Sequence, residues 1–124
     1  MGHLNDLAMD IHRGNVSRGF YEKPCEKGTL LMLVTSELAE ALEADRKGMY
    51  ADAKTYIRAS DGVMDEKGKI AFEAYIKDTF EDEIADAMIR LFDLAGHLGI
   101  DLDFHVMEKL KYNATRGYKH GKRY

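Results

Sequence analysis

The chain has 124 residues, 45% of them hydrophobic, with 18 Lys and Arg against 22 Asp and Glu for a formal net charge of −4. That length suits one domain with a sizeable core, spanning 1–124, and the apolar content excludes a chain disordered throughout. The longest aliphatic run, Leu30 to Val34, is too short to span a bilayer, so no membrane partner is expected.

The N-terminus carries Asp6 and Asp10 and lacks the apolar stretch of a secretion signal. The single Cys25 excludes an internal disulfide and suits a reducing compartment, so the expected location is cytoplasmic. Charge is unevenly spread. Lys109, Lys111, Arg116, Lys119, Lys122 and Arg123 fall in residues 109–124 without any acid, leaving 12 basic against 22 acidic side chains in the other 108 residues. An acidic body with a basic tail can grip an anion that arrives with a metal.

In chain order, Leu4, Leu7, Ala8 and Ile11 lie at helical spacing and predict a first amphipathic helix over 4–17, with His12 beside the stripe. Gly19 to Gly28 breaks the period and reads as a loop carrying Phe20 and Tyr21. Aromatics there can plug a core end or stack on a nucleobase, and both readings stand.

A second helix is predicted over 30–47, with Thr29 as its cap and Gly48 as its stop. Its apolar stripe is Leu30, Val34, Leu38 and Ala41, and Glu37 and Glu40 follow Leu33 at +4 and +7. Residues 51–59 read as a short helix, 61–69 as an exposed loop, and Phe72 to Ile76 as a further helical turn.

The third long helix, 79–97, organises the rest. Thr79 is its N-cap, and Glu81, Asp82 and Glu83 occupy the first turn, where the helix dipole favours negative charge. Phe80, Ile84, Ala87, Met88, Leu91 and Ala95 form its expected apolar face, with Glu83 at the edge and Asp86 three residues on. A fourth helix is predicted over 102–116, capped by Asp101, with Lys109, Asn113 and Arg116 forming a polar stripe beside Leu102, Val106 and Leu110. The fold class is all-α.

Two helices therefore each set a carboxylate pair on or beside an inward face. If the helices pack, four carboxylates converge, and such a cluster needs protons or a multivalent cation. Oxygen-only donors point to magnesium or a similar hard ion, with manganese as a substitute.

Ser36-Glu-Leu-Ala-Glu-Ala-Leu-Glu43 and Glu83-Ile-Ala-Asp-Ala-Met-Ile-Arg-Leu-Phe-Asp-Leu94, followed by Lys109-x-x-x-Asn113-x-x-Arg116 and then His120-Gly-Lys122, resemble the motifs of the MazG-like branch of all-α nucleoside triphosphate pyrophosphohydrolases. The matches cover residues 30–48 and 79–122. The resemblance implies an antiparallel bundle of four main helices with a short inserted helix. Glu37, Glu40, Glu83 and Asp86 would be magnesium ligands, with Glu37 or Glu40 as the general base. Lys109, Asn113 and Arg116 would be the phosphate and substrate contacts.

The implied reaction cleaves a nucleoside triphosphate between the α- and β-phosphates, giving monophosphate and pyrophosphate. Phe20 is a candidate substrate contact through stacking. Glu40 and Glu83 are 43 positions apart, longer than in compact members of the family, which marks residues 49–78 as an insertion.

Two rivals come from other classes. A ferritin-like di-iron bundle requires Glu-x-x-His, and none of the five histidines follows a glutamate by three. A non-enzymatic helical module could bind nucleic acid through the basic tail, but the acidic body would repel a phosphate backbone. Four helices around a charged site leave limited core, so a homodimer or higher homo-oligomer is expected.

Overall fold

The computed structural model describes residues 2–117. Lys119, His120, Lys122 and Arg123 of the basic tail lie outside the described residues. Six α-helices follow one another: α1 His3–Ser17, α2 Lys27–Arg46, α3 Ala53–Ser60, α4 Glu66–Tyr75, α5 Phe80–Leu98 and α6 Leu102–Ala114. Among the described residues there is no strand, so the chain is all-α, and no helix is long and apolar enough to cross a membrane. All four long helical segments expected from periodicity are helical, and the short helix near residue 55 forms as well.

The chain divides into two compact units, Met1–Pro24 with Phe92–Tyr124, and Cys25–Leu91. α5 gives its first turns to the second unit and its last to the first.

In the first unit, α6 caps α1. Gly2 has no side chain to cap the start of α1, and the carboxylate of Asp103 accepts from the Leu4 and Asn5 amides at 3.2 and 3.0 Å instead. Asp101 accepts from the Phe104 amide at 3.1 Å, as its cap position predicts, and from Asn5 Nδ2 at 2.8 Å. The predicted stripe on α1 is covered only in part, since Ala8 is buried and Leu7 is exposed.

The centre of this unit is polar. Asp93 is buried and uses both oxygens: Oδ1 meets His12 Nδ1 at 3.0 Å, and Oδ2 accepts from the Tyr21 hydroxyl at 2.7 Å. Tyr21 stacks on His97 with ring centroids 4.5 Å apart. His12 and Tyr21 are thus half-buried and bonded within this unit, while Phe20 is 65% exposed.

In the second unit, α3 and α4 form a helical hairpin. Asp52 caps α3 by accepting from the Thr55 amide at 3.1 Å, and Tyr56 meets Phe72 edge to face across the hairpin at 6.0 Å. The loop expected over 61–69 is shorter than predicted. Asp61 and Gly62 turn the chain with φ of 56° and 73°, and Asp65 then caps α4 through the Gly68 amide at 2.8 Å, so the helix is under way by Glu66.

α2 starts at Lys27, ahead of Thr29, with Glu26 at the cap position and its carbonyl accepting from Leu30 at 3.1 Å. Gly48, at φ 68°, stops it as predicted. The amide of Phe80 donates to Met49 O at 2.8 Å, which sets the start of α5 beside the end of α2. Further back, Arg90 of α5 reaches Glu37 of α2, so these two helices run antiparallel.

Two further expectations shift. On α5 the covered side is Glu83, Ala87, Leu94 and Ala95, while Ile84, Met88 and Leu91 stay 37–48% exposed. On α2, Leu38 is likewise 50% exposed. α6 ends at Ala114, so Arg116 lies beyond the helix, its amide bonded to Asn113 O at 3.1 Å.

Gly96 marks a close approach of α5 to α1. A Cβ there would sit 2.7 Å from Ala8 O and 2.9 Å from His12 Cβ, contacts the backbone of α1 cannot yield without moving. Gly96→Ala should therefore cost about 1–3 kcal/mol despite alanine's better helix propensity. Denaturant unfolding checks this, and a neutral or stabilising result would mean α1 is not held against the end of α5.

Candidate metal centre

The site sits in the second unit, where Arg90 of α5 bonds Glu37 of α2. Ala41 and Ala44 of α2 and Ala87 of α5 are buried there. Three carboxylates converge there: Glu37, Glu83 and Asp86 each offer an oxygen, all within 4.8 Å of one another. Glu37 and Glu83 are buried, at 9% and 5% exposure, and Asp86 is half-buried.

Glu40, one turn after Glu37, hydrogen-bonds with Glu83 and Glu37 but keeps an exposed side chain at the margin. The spacing of three on each helix produces this arrangement, since residues three apart share a face. Of the four acids predicted from sequence, three form the cluster and the fourth borders it.

One basic side chain enters. Arg90 Nε donates to Glu37 Oε1 at 2.8 Å, from a position one turn past Asp86. Sequence reading missed Arg90, because an arginine late in an amphipathic helix normally reads as solvated surface. The signal was its register, seven residues after Glu83 and four after Asp86, on the carboxylate side of α5.

The charges settle unequally. Burial raises the Glu37 carboxyl, but the Arg90 bond and its charge, with hydrogen bonds to Glu83 and Glu40, bring it below the ordinary value. Among the described residues Glu83 has no basic partner. Burial first, then hydrogen bonding to Glu40 and Glu37 and the charges of Glu40 and Asp86, push it up from 4.5 to about 8. Asp86 is also raised, by burial and by the charges of Asp82 and Glu37.

Two like charges about 4 Å apart repel by roughly 4 kcal/mol at an effective dielectric near 20, so full ionisation of this group without a counter-ion is strongly unfavourable. Glu83 Oε2 is buried and has no hydrogen-bond partner among the described residues. An orphaned, buried carboxylate oxygen among other carboxylates is a strong acceptor for a hard cation. The donor set of oxygens alone fits magnesium or manganese better than a softer metal. These acidic groups can hold a metal ion.

A cavity of about 360 Å³ opens beside the cluster, lined by Glu40, Glu43, Ala44, Lys47, Met49, Asp78 and Glu83. The remaining predicted contacts lie in the first unit. Lys109 is exposed on α6, with its ammonium 5.1 Å from the Tyr112 ring, and the Arg116 guanidinium lies 5.7 Å from the same ring. Asn113 is half-buried near the end of α6. Comparison with protein families, with curated proteins and with solved structures finds no match.

The titration of Glu83 sets the pH dependence. Between about pH 4.5 and 8 the folded chain keeps a proton that the unfolded chain releases, so metal-free stability falls as pH rises through that window and levels off above it. Denaturant midpoints should show this decline, and Glu83→Gln should flatten it. Near pH 8, magnesium at about a hundred times its dissociation constant should add roughly 2.7 kcal/mol to the wild type and much less to the variant. A wild-type curve that is flat across the window and indifferent to divalent cations would count against the centre.

Proposed function

We propose that this chain is a magnesium-dependent nucleoside triphosphate pyrophosphohydrolase of the MazG-like, all-α kind. The observation that carries this reading is the buried, partnerless oxygen of Glu83, set against Glu37 and Asp86 on two antiparallel helices. The motif resemblance assigns these same residues to a magnesium site, so motif and geometry point to one place.

Glu37, Glu83 and Asp86 would hold the ion, with Glu40 completing the set. When bound, the ion supplies charge neutralisation for phosphate oxygens and acidifies water. Glu37 is committed to Arg90, whereas Glu40 faces the cavity with an exposed carboxylate. Glu40 is therefore the better general base, accepting the proton of the attacking water. Arg90 orients Glu37 and offsets part of the negative charge of the cluster. Lys109, Asn113 and Arg116 keep the role of anion contacts that the resemblance implies, and Phe20, exposed on its loop, that of a stacking surface for the base.

A homo-oligomer belongs to the same proposal. On α2, Leu31, Leu38 and Leu42 recur at spacings of seven and four, and on α5, Ile84, Met88 and Leu91 at four and three; all six are 37–52% exposed. In an antiparallel pair, both stripes fall on the same side, next to the buried seam. Monomers rarely expose contiguous apolar patches of this kind, and a second copy can cover one. Sedimentation should find at least a dimer, and Leu38→Glu with Met88→Glu should give a monomer. A wild type that sediments as a monomer at micromolar concentration would remove this part of the proposal.

The bond that breaks is the sharpest test of the reaction. Attack by water at the α-phosphorus expels pyrophosphate and needs no covalent enzyme intermediate. Hydrolysis in oxygen-18 water should label the nucleoside monophosphate and leave pyrophosphate unlabelled. Label in orthophosphate, with a nucleoside diphosphate as the other product, would mean attack at the γ-phosphorus and would end this assignment while leaving the metal centre intact.

A further inference from the structure

We infer that Glu83 is shared between two cation sites, the second completed by Asp78 and Asp82. Asp78, Asp82 and Glu83 each offer a carboxylate oxygen, all within 4.8 Å of one another, as a group distinct from Glu37, Glu83 and Asp86. Acidic residues near a helix start are common and by themselves mean little. Here the shared member is 95% removed from solvent, with one carboxylate oxygen lacking any hydrogen-bond partner, and it lines the cavity together with Asp78.

Local structure accounts for only part of this second group. Thr79 Oγ1 caps α5 by accepting from the Asp82 amide at 3.3 Å, and Asp82 Oδ2 reaches back to the Asp78 amide at 2.9 Å. These bonds use one oxygen of Asp82. Its other oxygen and the whole Asp78 carboxylate are left over. Among the described residues no basic side chain is within ion-pair distance of Asp78, Asp82 or Glu83: Lys47, on the same cavity, pairs with Glu43 at 3.7 Å, and Arg90 pairs with Glu37. Three carboxylates without a counter-charge, one of them buried, match the oxygen donor set of a hard divalent cation.

Glu83 belongs to both groups and would be a ligand common to the two ions. The inference needs only the metal centre and not the triphosphate reading. Asp78 and Asp82 fall outside the four acids that the motifs single out, and Asp78 belongs to the segment 49–78 that the motifs leave unassigned.

The test is a manganese titration of the metal-stripped full chain, with free ion counted by electron paramagnetic resonance. Wild type should bind two ions per chain, and their bound spectrum should be broadened by spin–spin coupling. Asp78→Asn with Asp82→Asn should bind one, with an uncoupled spectrum; asparagine keeps an acceptor for the cap, and circular dichroism checks that the helices persist. Glu37→Gln should also bind one, held by the other group, and Glu83→Gln should weaken both. One ion per wild-type chain, removed by Glu37→Gln and untouched by the double variant, would overturn the second site and leave the first. Two ions in the double variant would overturn it as well. No bound ion at all would remove both sites.

Discussion

The structure turns on one buried carboxylate that, among the described residues, pairs with no base. Glu83 of α5 is buried, and the charged groups that push its carboxyl up are other acids. Burying such a group is tolerable only if it keeps its proton or meets a cation. Arg90 relieves Glu37 but not Glu83, so the cluster is compensated on one side alone. The metal dependence and the pH dependence argued for this chain both follow from that imbalance.

The buried apolar core of this chain is built mostly from small residues. The buried apolar side chains are Ala8, Leu30, Ala41, Ala44, Ala71, Ala87, Leu94 and Ala95, and no large side chain is completely buried among the described residues. The result is a thin core, with leucines, isoleucines and methionines displaced to the flanks of the helices, where they remain about half exposed. An arrangement that converges charge thus also leaves apolar surface for a second copy to cover.

Much of this was legible in the sequence. Periodicity of three and four, the Asp101 and Thr79 caps and the Gly48 stop fixed the long helices to within a few residues, because capping and packing act locally there. Glu37, Glu83 and Asp86 were visible as pairs spaced by three, and the structure brings them together. Periodicity does not say which part of an apolar face finds a partner within the chain, so Leu38, Ile84, Met88 and Leu91 were expected inside and lie half exposed. The start of α4 was hidden because Glu66-Lys-Gly-Lys69 has a loop composition, and it is the Asp65 cap that commits it to helix. Arg90 and Asp78 were hidden for a different reason: each matters through a neighbour that is remote in sequence or displaced by a turn, and no local spacing announces it.

The central claim is that the Glu83 carboxyl carries its proton near neutral pH until a cation replaces it. Carbon-13 labelling of glutamate side chains, with the Glu83 resonance assigned by its absence in Glu83→Gln, reads this directly in a pH titration by NMR. The metal-free protein should show that carboxyl titrating near pH 8, and saturating magnesium should abolish titration there. A midpoint near the ordinary 4.5, unchanged by magnesium, would contradict the account.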